Sequence, residues 1–327
     1  MIRIAAILFL GGALLALGRP NVALAQSSLD PDVSRAEQLY KDDKYRDAIA
    51  LLDKYLRQHP TDATALVDRG DAYEALNEQQ SAIADYTSAL QINPEYAYAY
   101  ASRCESRIEI DQYKTALDDC NRAIELQPRN AYAYRLRAVL QVDEEGGDVK
   151  AAIADATTAI SLAPDAESGR RIRCRVYIAA GQYDAALADC NAALAAEPND
   201  DSAHFQRGRI EIHQQNWSAA IADFSTALKL DATDSDAYYW RAIAEQGAGS
   251  YPDALADIDQ YIKSNVDDAD GYMLRAQIEV KLGNATEART AATSALRHYM
   301  IVNDQTGAAK AQALLDSLGK TDAQAPK

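Results

Sequence analysis

Apolar side chains recur along most of this chain at steps of three and four residues, in short stretches separated by polar turns. Residues 97–128 show the pattern: 97–109 reads as one helix, Asp111-Gln112 as a turn, and 113–126 as a second helix. Such spacing puts the apolar groups on one face of each helix. A hairpin of two such helices cannot bury that face alone; stacking on neighbouring hairpins does. Residues 1–25 break the pattern. Arg3 precedes an apolar run over 4–17, Arg19-Pro20 closes it, and Ala23-Leu24-Ala25 leads into polar Gln26. This is the order of a secretory signal peptide cleaved between Ala25 and Gln26, and the run is short for a membrane-spanning helix.

The hairpins repeat. Pro60, Pro94, Pro128, Pro164 and Pro198 follow one another at intervals of 34, 34, 36 and 34 residues. Twelve residues before each lies an alanine: Ala48, Ala82, Ala116, Ala152 and Ala186. The alanine column continues at Ala220, Ala254 and Ala288, after Ala232 and Val266 have replaced the proline. The longer interval is accounted for by Glu144-Glu145-Gly146-Gly147-Asp148, an extended turn inside the fourth unit.

These residues resemble the tetratricopeptide repeat family, whose units carry a small residue at position 8, an aromatic or Leu near 11, Ala at 20, an aromatic at 24, Ala at 27 and Pro at 32. The unit starting at Ala63 supplies Gly70, Tyr73, Ala82, Tyr86, Ala89 and Pro94; the unit starting at Asp201 supplies Gly208, Ala220, Phe224 and Ala227. About eight units fill residues 29–300. The first departs from the pattern with Leu52 at position 24 and Tyr55 at 27, and the eighth ends without Pro; terminal repeats drift because one side faces solvent. The resemblance implies an all-α fold, a right-handed superhelical solenoid of helix-turn-helix repeats, here in an exported, bacterial-type member. Residues 304–319, with Ala308, Ala311, Leu314, Leu315 and Leu318, read as a C-terminal cap helix, and 320–327 as a disordered tail.

Charge narrows the function. With 33 basic against 49 acidic residues the net charge is −16. Nucleic-acid binding requires Lys and Arg to neutralise phosphates, and anionic membrane surfaces repel such a chain. Neither partner is expected, nor is membrane insertion after the signal peptide is removed. His59, His204, His213 and His298 are scattered, and no HExxH, CxxC, phosphate-binding loop or GxSxG elbow occurs. Nothing assembles a nucleophile, a base and an oxyanion donor. The expectation is a protein that is not an enzyme and takes no cofactor or metal.

Two columns of side chains recur with the repeat. Arg35, Arg69, Arg103, Arg137, Arg173, Arg207, Arg241 and Arg275 hold position 7 of every unit, and Asp85, Asp119, Asp155, Asp189, Asp223 and Asp257 hold position 23 of six. A pattern present in every unit belongs to the scaffold, so these read as structural Arg–Asp pairs, each adding little if exposed. The four cysteines sit at positions 8 and 24 of the third unit, Cys104 and Cys120, and at the same positions of the fifth, Cys174 and Cys190. Cys occurs at both positions or neither. Two disulfides in an oxidising compartment explain the pairing; buried thiols and a four-Cys zinc site are the alternatives.

By the resemblance, positions 2, 5, 9, 12 and 13 of each first helix line a concave groove. Those positions place Asp71, Glu74, Glu105 and Glu109 toward one end, and Arg135, Arg171, Arg175 and Arg209 in the middle, among Tyr98, Tyr132, Phe205, Tyr239 and Met273. Arg with exposed aromatics is the residue mix of binding hot spots. The function expected is therefore a protein–protein interaction scaffold of the cell envelope, periplasmic or secreted. Its groove, centred on Arg135, Arg171, Arg175, Arg209, Tyr132, Phe205 and Tyr239, would hold an extended or helical segment bearing acidic groups. A periplasmic chaperone or assembly factor is a narrower alternative, and an enzyme with an unrecognised groove site a distant one.

Overall fold

The computed structural model describes residues 30–143, 147–164 and 167–323; the expected signal peptide, with its Ala25–Gln26 junction, lies outside them. The described residues are all-helical, with seventeen helices in consecutive pairs and a last one unpaired. The pairs are α1 (Pro31–Lys41) and α2 (Tyr45–Leu56), α3 (Ala63–Ala75) and α4 (Gln79–Ile92), α5 (Ala97–Ile108) and α6 (Tyr113–Leu126), α7 (Ala131–Asp143) and α8 (Val149–Leu162), and α9 (Glu167–Ala179) and α10 (Tyr183–Ala196). They continue with α11 (Asp201–His213) and α12 (Trp217–Leu230), α13 (Ser235–Ala248) and α14 (Tyr251–Ser264), and α15 (Ala269–Leu282) and α16 (Ala285–Ile301); α17 (Gln305–Ala323) closes the chain. The helices fall into two compact units, divided between Gly181 and Gln182 within the fifth repeat. No helix among the described residues is long and apolar enough to cross a membrane.

Local signals set the ends of the helices. Asp62, Asp200, Asp234 and Asp268 sit just before α3, α11, α13 and α15, and their carboxylates accept from backbone N–H groups of the first turn. Those N–H groups have no partner inside the helix, so the cap supplies one. Among the described residues seven hairpins reverse through one left-handed residue at position 15: Asp43, Asn77, Asp111, Gly181, Gln215, Gly249 and Gly283, with φ between 58° and 82°. Glycine takes this conformation without cost, and Asn and Asp tolerate it better than most side chains.

Packing follows the period. The alanines at position 20 are at most 1% exposed from Ala48 to Ala288, because there a first and a second helix approach too closely for a larger group. Positions 8 and 24 face each other across the hairpin and share one volume. A Cβ on Gly70 would lie 2.6 Å from the Tyr86 ring, and one on Gly208 2.8 Å from Phe224. Where both positions are Cys the volume is filled covalently: Cys104 and Cys120 form a disulfide. Among the described residues no cysteine is free. At the C-terminus, α17 buries Ala311 and Leu318 as a cap should. It runs on to Ala323, into the stretch expected to be tail, while 324–327 lie outside the described residues.

Candidate functional site

The position-7 arginines are tied down first. Arg137 gives Nε and Nη2 to the two oxygens of Asp155 at 2.7 and 2.9 Å and Nη1 to Asn121 Oδ1 at 2.8 Å. Arg69 does the same with Asp85, and with Asp53 at 2.6 Å. Arg103 holds Asp119 and Thr87, Arg207 holds Asp223 and Asn191, and Arg241 holds Asp257 and Ser225. Each guanidinium thus bonds the second helix of its own hairpin through a bidentate fork and the second helix of the preceding hairpin through its third edge. The carboxylates are not exposed; the Asp119 side chain is 5% accessible. The pairs are therefore scaffold, as expected, and part-buried with the carboxylate the deeper partner, so the small value of an exposed pair does not apply to them. A paired buried charge left without its partner costs several kcal/mol.

The first helices form the other surface. In residues 30–181, α3 packs on α5, α5 on α7 and α7 on α9; in residues 182–323, α11 packs on α13, α13 on α15 and α15 on α17. A row of alternate helices close enough to touch is the inner row of a curved stack, so this is the groove-lining row of each unit.

In the first unit this row carries a chain of polar contacts that steps from repeat to repeat. Position 2 of successive repeats is Tyr98, Tyr132 and Ser168, and each meets a groove position of the repeat before. Tyr98 donates to Asp71 Oδ2 at 3.2 Å and Tyr132 to Glu105, while Ser168 accepts from Arg135 Nη1. Tyr86, from α4, donates to Asp71 Oδ1 at 2.8 Å, and Ser106 donates to Glu74 Oε1 at 2.9 Å. Asp71, Glu74 and Glu105 are thus brought together. Burial, then Glu105 and Asp71, raise the Glu74 carboxyl well above its ordinary value; burial raises Glu105, opposed by Tyr132 and Arg135. Burial, with Glu105 and Asp111 behind it, pushes Glu109 up to about 8. Sequence reasoning placed these acids at one end of the groove but missed that they converge. The recurrence of Tyr at position 2, twenty-seven residues after each acid at position 9, was the available signal.

Arg135 differs from every position-7 arginine. It is 4% exposed, its guanidinium lies 5.4 Å from the centre of the Tyr132 ring, and among the described residues its hydrogen-bond partner is the neutral Ser168 hydroxyl. Burial lowers its pKa, which Glu105 and Tyr132 oppose and Arg171 reinforces. Arg171 and Arg175 are half-buried on α9. In the second unit Arg209 lies 5.1 Å from the centre of the Trp240 ring and donates to Gln206 Oε1 at 3.2 Å. Phe205 packs edge-on against Phe224 at 5.7 Å, and Tyr239 against Tyr261 at 5.0 Å. Burial and then Asp270 raise the Tyr239 hydroxyl, so it stays neutral. Phe205 and Tyr239 are therefore half-sunk in the core, with only part of each ring on the groove side. Among the described residues no group of three or more His, Cys, Asp or Glu is placed to hold a metal ion.

The tetratricopeptide repeat pattern matches residues 34–97, 174–237 and 239–300. The chain belongs to the tetratricopeptide repeat family. No curated protein matches it. Among solved structures, a chain of the APC/C hetero-tetramer Cut9-Hcn1 is similar with a TM-score of 0.73 at 16% identity, over 91% of this chain and 57% of that one. The present chain thus spans just over half the length of that relative. A tetratricopeptide repeat protein of Parabacteroides merdae gives 0.55 at 18% identity, covering 78% of this chain and 98% of its own. TTC0263, from Thermus thermophilus, gives 0.50 at 20%, covering 56% and 98%. At such identities the likeness is one of fold.

Proposed function

We propose that this protein is a non-catalytic interaction scaffold of the cell envelope, exported behind residues 1–25, whose inner helix row binds an acidic or carboxylate-bearing segment of a partner protein. The observation that carries the reading is Arg135. A guanidinium 4% exposed and hydrogen-bonded to a neutral serine lacks the close, bidentate counter-charge that every resolved position-7 fork has. A buried cation without such a partner is costly, and an incoming carboxylate would relieve that cost through the two parallel bonds that guanidinium geometry favours. Arg171 and Arg175, one and two turns along the next inner helix, extend the positive charge of the same unit. In the other unit Arg209 on the Trp240 face offers a second cation with an aromatic beside it. The acidic remainder of the molecule would repel acidic segments that lack the right register, which favours specificity over bulk affinity.

The test is capture of partners by the mature chain, starting at Gln26, from its own cell-envelope fraction. Arg171→Glu with Arg175→Glu is expected to abolish capture while helical circular dichroism and melting stay unchanged. Reversal at Asp71 and Glu74 serves as the contrast and should weaken capture less. Equal capture by the arginine-reversed and wild-type chains at the same salt would refute the reading.

A further inference from the structure

Position 11 of the repeat lies beside the Arg–Asp fork, and four repeats place a charged group there; in α11–α12 it is Glu211, half-buried, whose Oε2 accepts from Asn216 Nδ2 at 2.8 Å. In α5–α6 it is Arg107, whose Nη1 reaches Asp119 Oδ2 at 2.6 Å, so two guanidiniums share one carboxylate. Burial lowers the Arg107 pKa. In α15–α16 it is Glu279. There position 23 is Ala291, so no fork carboxylate is present: Arg275 gives Nε to Asp259 at 2.6 Å and lies 3.4 Å from one oxygen of Glu279 through Nη2, and Asn284 donates to the other at 2.8 Å. In α13–α14 it is Glu245, and the fork carboxylate Asp257 is also present.

Glu245 therefore lies beside a guanidinium that is already committed. Arg241 spends Nε and Nη2 on Asp257 at 2.6 and 2.8 Å and Nη1 on Ser225 of α12 at 3.1 Å. Its nearest approach to Glu245 is 3.9 Å. The other side of that guanidinium is covered by the Tyr238 ring, 5.7 Å from its centre. Glu245 is 8% exposed and its Oε2 has no hydrogen-bond partner. The other charges it meets, Asp257 and Asp253 of α14, are both negative. It also sits in the last turn of α13, the negative end of the helix dipole. Two carboxyls and one cation in a buried pocket leave one negative charge in excess, and a proton is the smallest thing that removes it.

We propose that Glu245 is protonated in the folded chain and makes the α13–α14 hairpin a pH-sensitive lock, closed while the proton stays and loosened when it leaves. Burial, then Asp257, push this carboxyl up to about 7 from its ordinary 4.5. A carboxyl raised on folding binds its proton more tightly in the folded state, so its contribution is intact below about 4.5 and is lost as pH rises through about 7. The helix affected carries Tyr239 and Trp240 of the inner row, so the lock bears on the binding face of the second unit.

Amide hydrogen exchange of the mature chain tests this, with rates in α13 and α14 corrected for intrinsic pH dependence and compared at pH 5.5 and pH 8. The wild-type hairpin should open roughly thirtyfold more often at the higher pH, and Glu245→Gln should remove most of that change. A Gln variant with the wild-type pH response would overturn the proposal. The wild-type chain alone gives an independent reading, the titration of the Glu245 side-chain carboxyl by carbon-13 resonance. A midpoint near 7 supports the lock, and one in the ordinary carboxylate range overturns it whether or not the variant folds.

Discussion

Arg135 and Arg137 stand two residues apart on α7, about 200° apart around the helix, and they live in opposite electrostatic worlds. Arg137 faces the scaffold. Asp155 holds it in a bidentate fork, Asn121 takes its third edge, and its pKa rises through that pairing. Arg135 faces the inner row, is more deeply buried, has a serine hydroxyl for its hydrogen-bond partner, and its pKa falls. Their columns differ too. Position 7 is Arg in every repeat, whereas position 5 runs Val67, Ala101, Arg135, Arg171, Phe205, Tyr239, Met273. A charge that repeats with the fold and carries its own counter-charge is architecture. A buried charge that recurs only once, at Arg171, and is not closely matched is the feature on which the proposed binding role rests.

The comparison can be broken most sharply from the scaffold side. Asp155→Ala leaves the half-buried Arg137 guanidinium without its carboxylate and should cost about 2–3 kcal/mol by urea unfolding, less than for a fully buried pair because part of the guanidinium meets water. Replacing Arg137 by Met in the same chain should recover part of that loss, since the stranded charge goes with it. A single variant within 1 kcal/mol of wild type would mean the fork is screened like a surface pair. The disulfide on the same face gives a similar effect. Cys104→Ala with Cys120→Ala removes a cross-link closing a short loop and should cost about 3 kcal/mol in thermal unfolding. Partner capture should persist below the lowered melting point, because positions 8 and 24 face the hairpin interior and not the inner row. Loss of capture in a chain that remains folded would erase the division between the two faces.

Most of the architecture was legible because the repeat reports each packing rule many times over. Ala at position 20 and the Gly70–Tyr86, Cys104–Cys120 and Gly208–Phe224 pairings each state a local volume, and the structure fills those volumes as the sequence pairs them. The Arg–Asp columns were legible as a pair but not in depth. Burial depends on how closely the preceding hairpin leans in, and that contact is made by position 25. There Asp53, Thr87, Asn121, Thr157, Asn191, Ser225 and Asp259 share only an oxygen that can accept from Arg. A column conserved in chemistry but not in identity escapes a search for repeated letters. The groove was legible as positions but not as partners. Whether Arg135 meets Ser168 or Glu105 is set by the angle between successive inner helices, which no single repeat encodes. The same limit hid the insertion of Phe205 and Tyr239 into the core.

In the proposed function the inner row, and Arg135 within it, serves binding while the repeated forks serve folding. Arg135→Gln and Arg137→Gln, two residues apart and chemically identical, test it in one experiment that follows thermal melting and partner capture together. Arg135→Gln should melt at or above the wild-type temperature, since it removes a buried charge that lacks a close counter-charge, and should lose capture. Arg137→Gln should melt clearly lower and still capture at temperatures where it is folded. The account is contradicted if Arg135→Gln captures like the wild type, or if its melting falls as far as that of Arg137→Gln.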